Sequence, residues 1–375
     1  MRLHLTNFLS YRSTVLEFDD FVALVGPNAS GKSNAVAAIK LLREIPFHGL
    51  PTAIARRGGF DQLRHRSTGH PYDPAIRLDF RFGNNEESYY ELRLRALAGK
   101  RYEVKLERGT IHTDDGVSSF SNEGGSFTWK DQISDNQVVS TPGGRSIRIP
   151  PGQSAVSVSP SLGAYMVSSV LQAMQTVEIN PIRVGELQEP SSTREFEPDG
   201  SNTASILDNL DAKTRSQLVD ELSAIVPGIY RIDVRRLADK VTASFYQESG
   251  SERREFLAKQ MSDGTLRAYS ILLSMLQPSK PKLLVIEEPE IAIHLGALRT
   301  MVDILRQQSE QSQILITTHS ADIVDSVSPE ALRVVWNDAG VSRISRVAAH
   351  TLDPVRKGLI TPGQLMRADA LDPAS

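Results

Sequence analysis

The sequence predicts an α/β fold with a mostly parallel sheet core, an antiparallel β meander and an inserted helical and loop-rich region. Three observations predict it. Continuous apolar runs of strand length, Phe21–Val25 and Leu283–Ile286, and a further buried strand, Gln313–Thr318, alternate with helical patterns, as in a parallel sheet buried on both faces. From residue 75 the apolar period drops to two, with Ile76, Leu78, Phe80 and Phe82, then Tyr90, Leu92 and Leu94, then Tyr102, Val104 and Leu106. A glycine-bearing octet, Gly26-Pro27-Asn28-Ala29-Ser30-Gly31-Lys32-Ser33, stands between the first apolar run and a helical pattern.

In chain order, Leu3–Phe8 and Thr14–Phe18 read as strands about a Ser10–Ser13 turn, leading into Phe21–Val25. Asn34 to Ile45 carries Val36, Ile39, Leu42 and Ile45 at helical spacing. A glycine-rich link, Arg56 to Gln62, follows, and Gly83-Asn84-Asn85 is turn chemistry inside the meander. Residues 110–160 are dense in Gly, Ser, Asn and Pro, as in Thr141-Pro142-Gly143-Gly144. They read as long loops with weak strands near Phe127–Trp129 and Ile147–Ile149. Ser161–Val177 reads as a helix, as do Thr203–Leu210 and Thr214–Val226, which Pro227-Gly228 ends. Ile229–Val234 and Val241–Tyr246 pair across a Leu237-Ala238-Asp239 turn. Thr265–Leu276 and Ala297–Gln308 are helices flanking the Leu283–Ile286 strand. The expected division is 1–65 for the first part of the core, 66–160 for the meander and loops, and 161–228 for a helical subdomain. The second part of the core is 229–347, and 348–375 is a tail.

Composition removes several chemistries. The 375 residues are 40% hydrophobic and 23% charged, ordinary for a globular chain. There is no cysteine, hence no disulfide, zinc-thiolate site or thiol nucleophile. Met1-Arg2-Leu3-His4-Leu5 lacks a signal-peptide core, and no apolar run nears the roughly 20 residues of a membrane span. A cytoplasmic protein without a membrane partner is expected. A net charge of −3 gives no overall pull on nucleic acid, though the clusters Arg56, Arg57, Arg64, His65, Arg66 and Arg253-Arg254 leave local contact open.

The octet fits G-x-x-x-x-G-K-[ST] between a strand and a helix, the context in which this pattern binds nucleotide phosphates. The glycines let backbone N–H groups turn onto phosphate oxygens, and the helix start that follows, at Asn34, adds unpaired donors. Lys32 reaches the β- and γ-phosphates of ATP, and the Ser33 hydroxyl ligates Mg²⁺. Pro27 fixes φ in a loop that must be rigid.

Three further motifs lie at element ends. Ile286-Glu287-Glu288-Pro289-Glu290 closes an apolar strand. Glu287 suits the Mg²⁺ shell, and Glu288 suits the general base for an attacking water. Thr317-Thr318-His319-Ser320 closes another strand 31 residues after Glu288, and His319 suits a γ-phosphate contact. Met261-Ser262-Asp263-Gly264 opens a helix 25 residues before Glu287, offering the Ser262 hydroxyl and the bare Gly264 backbone to an anion. The same residues also make an ordinary N-cap.

These four motifs, in this order, resemble the ATP-binding-cassette type of P-loop NTPase. Ser262–Arg267, Glu287–Glu290 and Thr317–Ser320 resemble its RecF, structural-maintenance-of-chromosomes and overcoming-lysogenisation-defect (OLD) branch, with its many bacterial AAA-type ATPases. Leu5–Ser13 and Glu197-Pro198-Asp199-Gly200-Ser201-Asn202 resemble it too. The resemblance covers residues 1–65 and 178–345 and leaves the middle uncovered.

It implies that two heads meet head to tail, as a dimer or a larger homo-oligomer. Lys32 and Ser33 of one head and Ser262 and Gly264 of the other would flank one ATP. Gln62 resembles the glutamine that joins the Mg²⁺ shell and reads equally as a loop residue. Glu290–His294 resembles the segment that crosses the interface. Departures are Leu295, where relatives usually have proline, Asp263 in place of a glycine, and no long heptad run. The 28 residues after Val347 are too few for a Toprim nuclease domain. The implied role is an ATPase in antiviral defence or DNA repair and maintenance, working with a nuclease or effector protein. A nucleotide-gated scaffold and a transporter ATPase subunit are the alternatives.

Overall fold

The computed structural model describes all residues except 67–71, 83–85, 134–137, 141–145, 159–160 and 375. The turn expected at Gly83–Asn85 and the loop at Thr141–Gly144 lie outside the described residues. The chain forms two compact units. One comprises Met1–Asp19, Pro27–Met174 and Val335–Ser345. The other comprises Asp20–Gly26, Gln175–Val334 and Arg346–Ser375.

The chain opens with β1 (Arg2–Phe8), β2 (Tyr11–Glu17) and β3 (Phe21–Val25). The helix Lys32–His48 follows the glycine octet. Next come β4 (Ala75–Phe80), β5 (Ser88–Leu97), β6 (Arg101–Thr113), β7 (Gly116–Glu123), β8 (Ser126–Ile133), β9 (Val138–Ser140) and β10 (Ile147–Arg148). The helix Leu162–Gln172 leads to β11 (Met174–Val177). The hairpins β12 (Ile229–Leu237), β13 (Lys240–Ser249) and β14 (Glu252–Leu257) precede the helix Asp263–Leu276. The chain then runs through β15 (Leu283–Glu287), the helix Leu295–Gln308, β16 (Gln313–Thr318), β17 (Leu332–Asp338) and β18 (Val341–Arg346).

In the first unit the meander forms one sheet in the order β10-β8-β7-β6-β5-β4-β1-β2, with β9 on β8. Alternation sets its two faces. One pairing row reads Leu16, Leu3, Leu78, Tyr90, and the next row on that face reads Leu5, Ile76, Leu92. These side chains are buried, while Arg2, His4, Arg77 and Tyr89 occupy the alternate positions. The helices Lys32–His48 and Leu162–Gln172 pack together within this unit, the second also against β6 and β7. Gly163 permits that approach, since an added β-carbon would lie 2.8 Å from Ser118 Oγ.

Residues 110–160 were expected to be long loops with weak strands near Phe127–Trp129 and Ile147–Ile149; those strands are present as β8 and β10, and Gly116–Glu123 and the end of β6 continue the meander instead of looping. Asp114-Asp115 and Gly124-Gly125 are hairpin turns, and Ile111, Phe120 and Phe127 bury the inner face. The serines and asparagines read as loop residues are outward strand positions or buried ones: Asn122 is 1% exposed. The expected helix Ser161–Val177 ends at Gln172, because Met174–Val177 is a fully buried strand whose Thr176 and Val177 are β-branched. The first hairpin turns at Leu9-Ser10, not Ser10–Ser13, because Tyr11 is wholly buried in β2.

In the second unit a parallel sheet runs in the order β11-β15-β16-β3-β17. Phe21–Val25 of β3, Leu283–Ile286 of β15 and Ile314–Ile316 of β16 read as unbroken apolar runs because both faces are buried. The register pairs Glu287 with Thr317 and Thr317 with Leu24, and Thr318 with Val25. The carboxyl ends of β15, β16 and β3 therefore share one edge, where α/β sheets place their ligands. The antiparallel trio β12-β13-β14 contains the expected hairpin and one strand more.

Candidate functional site

In the first unit, the phosphate-loop residues form a tight cradle at the start of the helix Lys32–His48. Gly31 is its N-cap at φ +118°, and Ala29 is also left-handed at φ +61°. A β-carbon on Gly31 would overlap the Ser342 hydroxyl, so glycine is required for both conformation and space. Ser342 itself is fixed by Ser10, its N–H donating to Ser10 O at 2.9 Å and its hydroxyl to Ser10 Oγ at 2.7 Å. Asn34 Nδ2 donates to the same Ser10 Oγ at 2.6 Å. Lys32 is 7% exposed, and its Nζ donates to Pro27 O at 3.0 Å, closing the loop on itself. Ser33 is exposed. Ser30 is buried with no hydrogen-bond partner for its hydroxyl, an orphaned donor inside the loop. Gln62 is exposed in the turn of helix Phe60–Leu63, its Oε1 accepting from Arg66 Nη2 at 3.1 Å.

The second unit carries the acidic motif and the histidine at one sheet edge. β15 ends at Glu287, and the Glu288 N–H donates to Thr317 O at 2.9 Å. Glu288 takes φ +48°, the left-handed region that a residue of this type enters rarely. Such strain, held by neighbouring structure, points to a functional position. His319 Nδ1 lies 3.4 Å from Glu288 Oε1 and 4.0 Å from Glu290 Oε1. The ring is half exposed at 48%, and Glu288 is 34% exposed. Glu290 is buried at 9%, its Oε1 accepting from the Thr318 hydroxyl at 2.6 Å.

Beside this edge lies a cavity of about 700 Å³, lined among others by Glu178, Asp199, Arg267, Glu287, Glu288 and Ile291. Arg267 Nη2 donates to Ile179 O at 3.3 Å. Burial lowers the Arg267 pKa from its usual value, against the carboxylates of Glu288, Asp263 and Glu290, which raise it. The Glu197–Asn202 turn forms one wall. Gly200 is held at φ +80°, and the backbone of Pro198 and Asp199 accepts from Glu178 N and Asn180 N.

Ser262 caps the helix Asp263–Leu276, its Oγ accepting from Thr265 N at 3.3 Å. Ser262 and Asp263 are exposed. A β-carbon on Gly264 would overlap the carbonyl of Ala292, so this helix start packs directly on the loop after Glu288. His294 caps the next helix, Nδ1 accepting from Gly296 N at 3.1 Å, and Leu295 is 68% exposed.

Glu287, Glu288 and His319 thus share an edge with Gly26, where β3 gives way to the phosphate loop. Sequence reading missed Tyr11, Ser342 and Arg267. Tyr11 and Arg267 lie in the stretches Leu5–Ser13 and Ser262–Arg267 that carry the resemblance, which was their only signal, and Ser342 lies in no motif.

A family model described as "AAA domain, putative AbiEii toxin, Type IV TA system" matches residues 21–145 and 174–325. The chain belongs to this AAA family. Its fold is that of the ATP-binding-cassette P-loop ATPases in the form of structural-maintenance-of-chromosomes heads. A head solved bound to the C-winged helix domain of ScpA aligns with TM-score 0.56 at 16% identity, covering 94% of this chain and 98% of that one. A Pyrococcus furiosus Smc head with an extended coiled coil, bound to the C-terminal domain of ScpA, aligns with TM-score 0.56 at 11% identity, covering 96% and 98%. Structural maintenance of chromosomes protein 1 of Schizosaccharomyces pombe is 26% identical over 116 residues, 28% of this chain. The match spans 9% of that relative's length. Among the described residues, no helix of this AAA family member is long and apolar enough to cross a membrane.

Proposed function

We propose that the chain binds and hydrolyses ATP and that nucleotide drives head-to-tail pairing of two copies. The observation that carries this is Glu288, a left-handed carboxylate held beside His319 at the edge where β3 leads into the phosphate loop. Strain of this kind is of little use to a scaffold and suits a residue that must aim at a water.

The cradle fits a phosphate. Its orphaned Ser30 hydroxyl suits an anionic oxygen, and Lys32, which donates to the Pro27 carbonyl, is a cation within the same loop. In this reading Gly26 to Asn34 wrap the triphosphate and Lys32 neutralises it. Ser33 and Glu287 would hold Mg²⁺, with Gln62 joining once its oxygen leaves Arg66. When bound, Mg²⁺ supplies charge neutralisation at the phosphates. Glu288 takes a proton from the attacking water, and His319 contacts the γ-phosphate. Ser262 and Gly264 serve the nucleotide of a second copy, for which the exposed Ser262 at the helix start is suited.

The output would come from a nuclease or effector partner in antiviral defence or DNA maintenance, with nucleic acid as a further ligand. The toxin–antitoxin wording of the family and the likeness to heads bound to a partner domain support a partnered role.

The test is phosphate release by the wild type, Lys32→Ala and Glu288→Gln, with light scattering of Glu288→Gln plus ATP. Turnover in the wild type alone, with ATP doubling the mass of Glu288→Gln, is expected. No turnover in the presence of nucleic acid or partner, or an unchanged mass, defeats the corresponding half of the reading.

A further inference from the structure

We propose that Glu290 is a positioning residue for the His319 imidazole, tying the loop after β15 to the end of β16. The inference deepens the reading of His319 given above and rests on it for its functional meaning. The segment Glu290–His294 resembles an interface crossing, but the Glu290 side chain turns inward within its own unit.

The geometry is that of a clamp. Thr318, the last residue of β16, is fully buried. Its hydroxyl donates to Glu290 Oε1 at 2.6 Å and accepts from the Ser320 N–H at 2.9 Å, so both of its roles are committed. The His319 N–H reaches the same Glu290 oxygen at 3.4 Å. One carboxylate oxygen thus gathers the hydroxyl before the histidine and the backbone of the histidine itself.

The ring is placed by the same group. Nδ1 faces two carboxylate oxygens, Glu288 Oε1 at 3.4 Å and Glu290 Oε1 at 4.0 Å. A carboxylate facing one ring nitrogen favours a proton there and sets what the other nitrogen can do. The second Glu290 oxygen, Oε2, is buried with no partner. An unpaired buried carboxylate oxygen is costly, so a merely structural tie would be better served by a neutral residue. Retaining a charge here is understandable if its field acts on the imidazole. The carboxylates of Glu288 and Glu290 both favour the charged form of Arg267.

The test uses full-length protein labelled with ¹⁵N-histidine, without nucleotide, and reads the ring nitrogens of His319, assigned by their loss in His319→Gln. Glu290→Ala is expected to shift the His319 ring resonances and to leave those of the other seven histidines in place. Thr318→Val, which removes the donor but not the charge, is expected to shift them less. Where ATP turnover is measurable, Glu290→Ala is expected to lower kcat about tenfold. KM for ATP should stay within about twofold. Glu290→Gln, which keeps an acceptor for the Thr318 hydroxyl, is expected to recover part of both losses. Unshifted His319 resonances in a folded Glu290→Ala protein overturn the proposal. If the resonances shift and the wild type shows no turnover, the positioning stands and the ATPase reading falls. If turnover is present and the resonances do not move, the reverse holds.

Discussion

Tyr11 donates its hydroxyl hydrogen to the carbonyl oxygen of Gly31 at 2.9 Å, and both residues are buried. Gly31 O also accepts from Asn34 N at 3.0 Å and Ala35 N at 3.1 Å, so β2 holds the carbonyl at which the helix starts. Burial raises the Tyr11 pKa well above that of a free phenol, so it remains a donor at any working pH. Tyr11→Phe should destabilise the fold by about 0.5–1.5 kcal/mol, because the carbonyl keeps two other donors. ATP affinity should fall only a few-fold. Urea unfolding and titration calorimetry check the two numbers.

Gly31 and Ser342 make a second, separable prediction. Gly31→Ala meets two costs, a left-handed backbone and the Ser342 hydroxyl. The expected destabilisation is about 1–3 kcal/mol, with loss of nucleotide binding. Ser342→Gly in the same chain removes the overlap and leaves φ unchanged. The double variant should therefore recover part of the stability without regaining the wild-type value. Thermal unfolding of the four proteins in this cycle gives the coupling directly.

Glu288 separates chemistry from stability. Glu288→Gln should bind ATP with near wild-type affinity while kcat falls by about 10²–10⁴. Glu288→Gly should lose turnover as well, yet its stability should stay within about 1 kcal/mol of the wild type. Relief of the left-handed strain and the extra freedom of glycine in the unfolded chain oppose each other. A large loss of stability in Glu288→Gly would mean that the carboxylate is structural. Initial-rate kinetics, ATP titration and urea unfolding decide between the outcomes.

The parallel core and the ends of its strands and helices were legible because both rest on local rules. Leu283–Ile286 is apolar throughout because its strand is buried on both faces, and Glu287 interrupts that run where the strand meets the edge. Ser262, Lys32 and His319 stand at element ends that their own neighbours announce. The meander beyond residue 110 was legible only in its weak strands near Phe127–Trp129 and Ile147–Ile149, because its inner face mixes Phe120 and Phe127 with buried Glu107 and Asn122. Its turns also carry the residues of loops. Tyr11 and Ser342 lie 20 residues before and 311 residues after Gly31 in the chain, and no periodicity links them to it. Glu290 was legible as an acid after a strand, but its inward turn depends on Thr318, which only pairing of β15 with β16 brings near.

The buried carboxyl of Glu107 gives the last prediction, on pH. It is wholly buried on β6, accepting from Tyr90 Oη at 2.8 Å, Ser154 Oγ at 2.5 Å and Ala155 N at 2.6 Å. Burial raises its pKa above the ordinary 4.5 although each of these bonds lowers it. The folded state then holds a proton that the unfolded chain has given up. Stability from this group is fully present below pH 4.5 and is lost as pH rises through the folded-state pKa, above which it no longer changes. Glu107→Gln cannot titrate, but its amide must face at least one of the donors now aimed at the carboxylate, so it should be less stable at every pH. The deficit relative to wild type should shrink as pH climbs from 4.5 toward neutrality, because the wild type loses stability there and the variant does not. Urea unfolding of both proteins at half-unit pH intervals measures it. A deficit that stays flat over that range, and instead widens as pH rises toward 4.5 from below, would mean that the hydrogen bonds outweigh burial and hold Glu107 ionised.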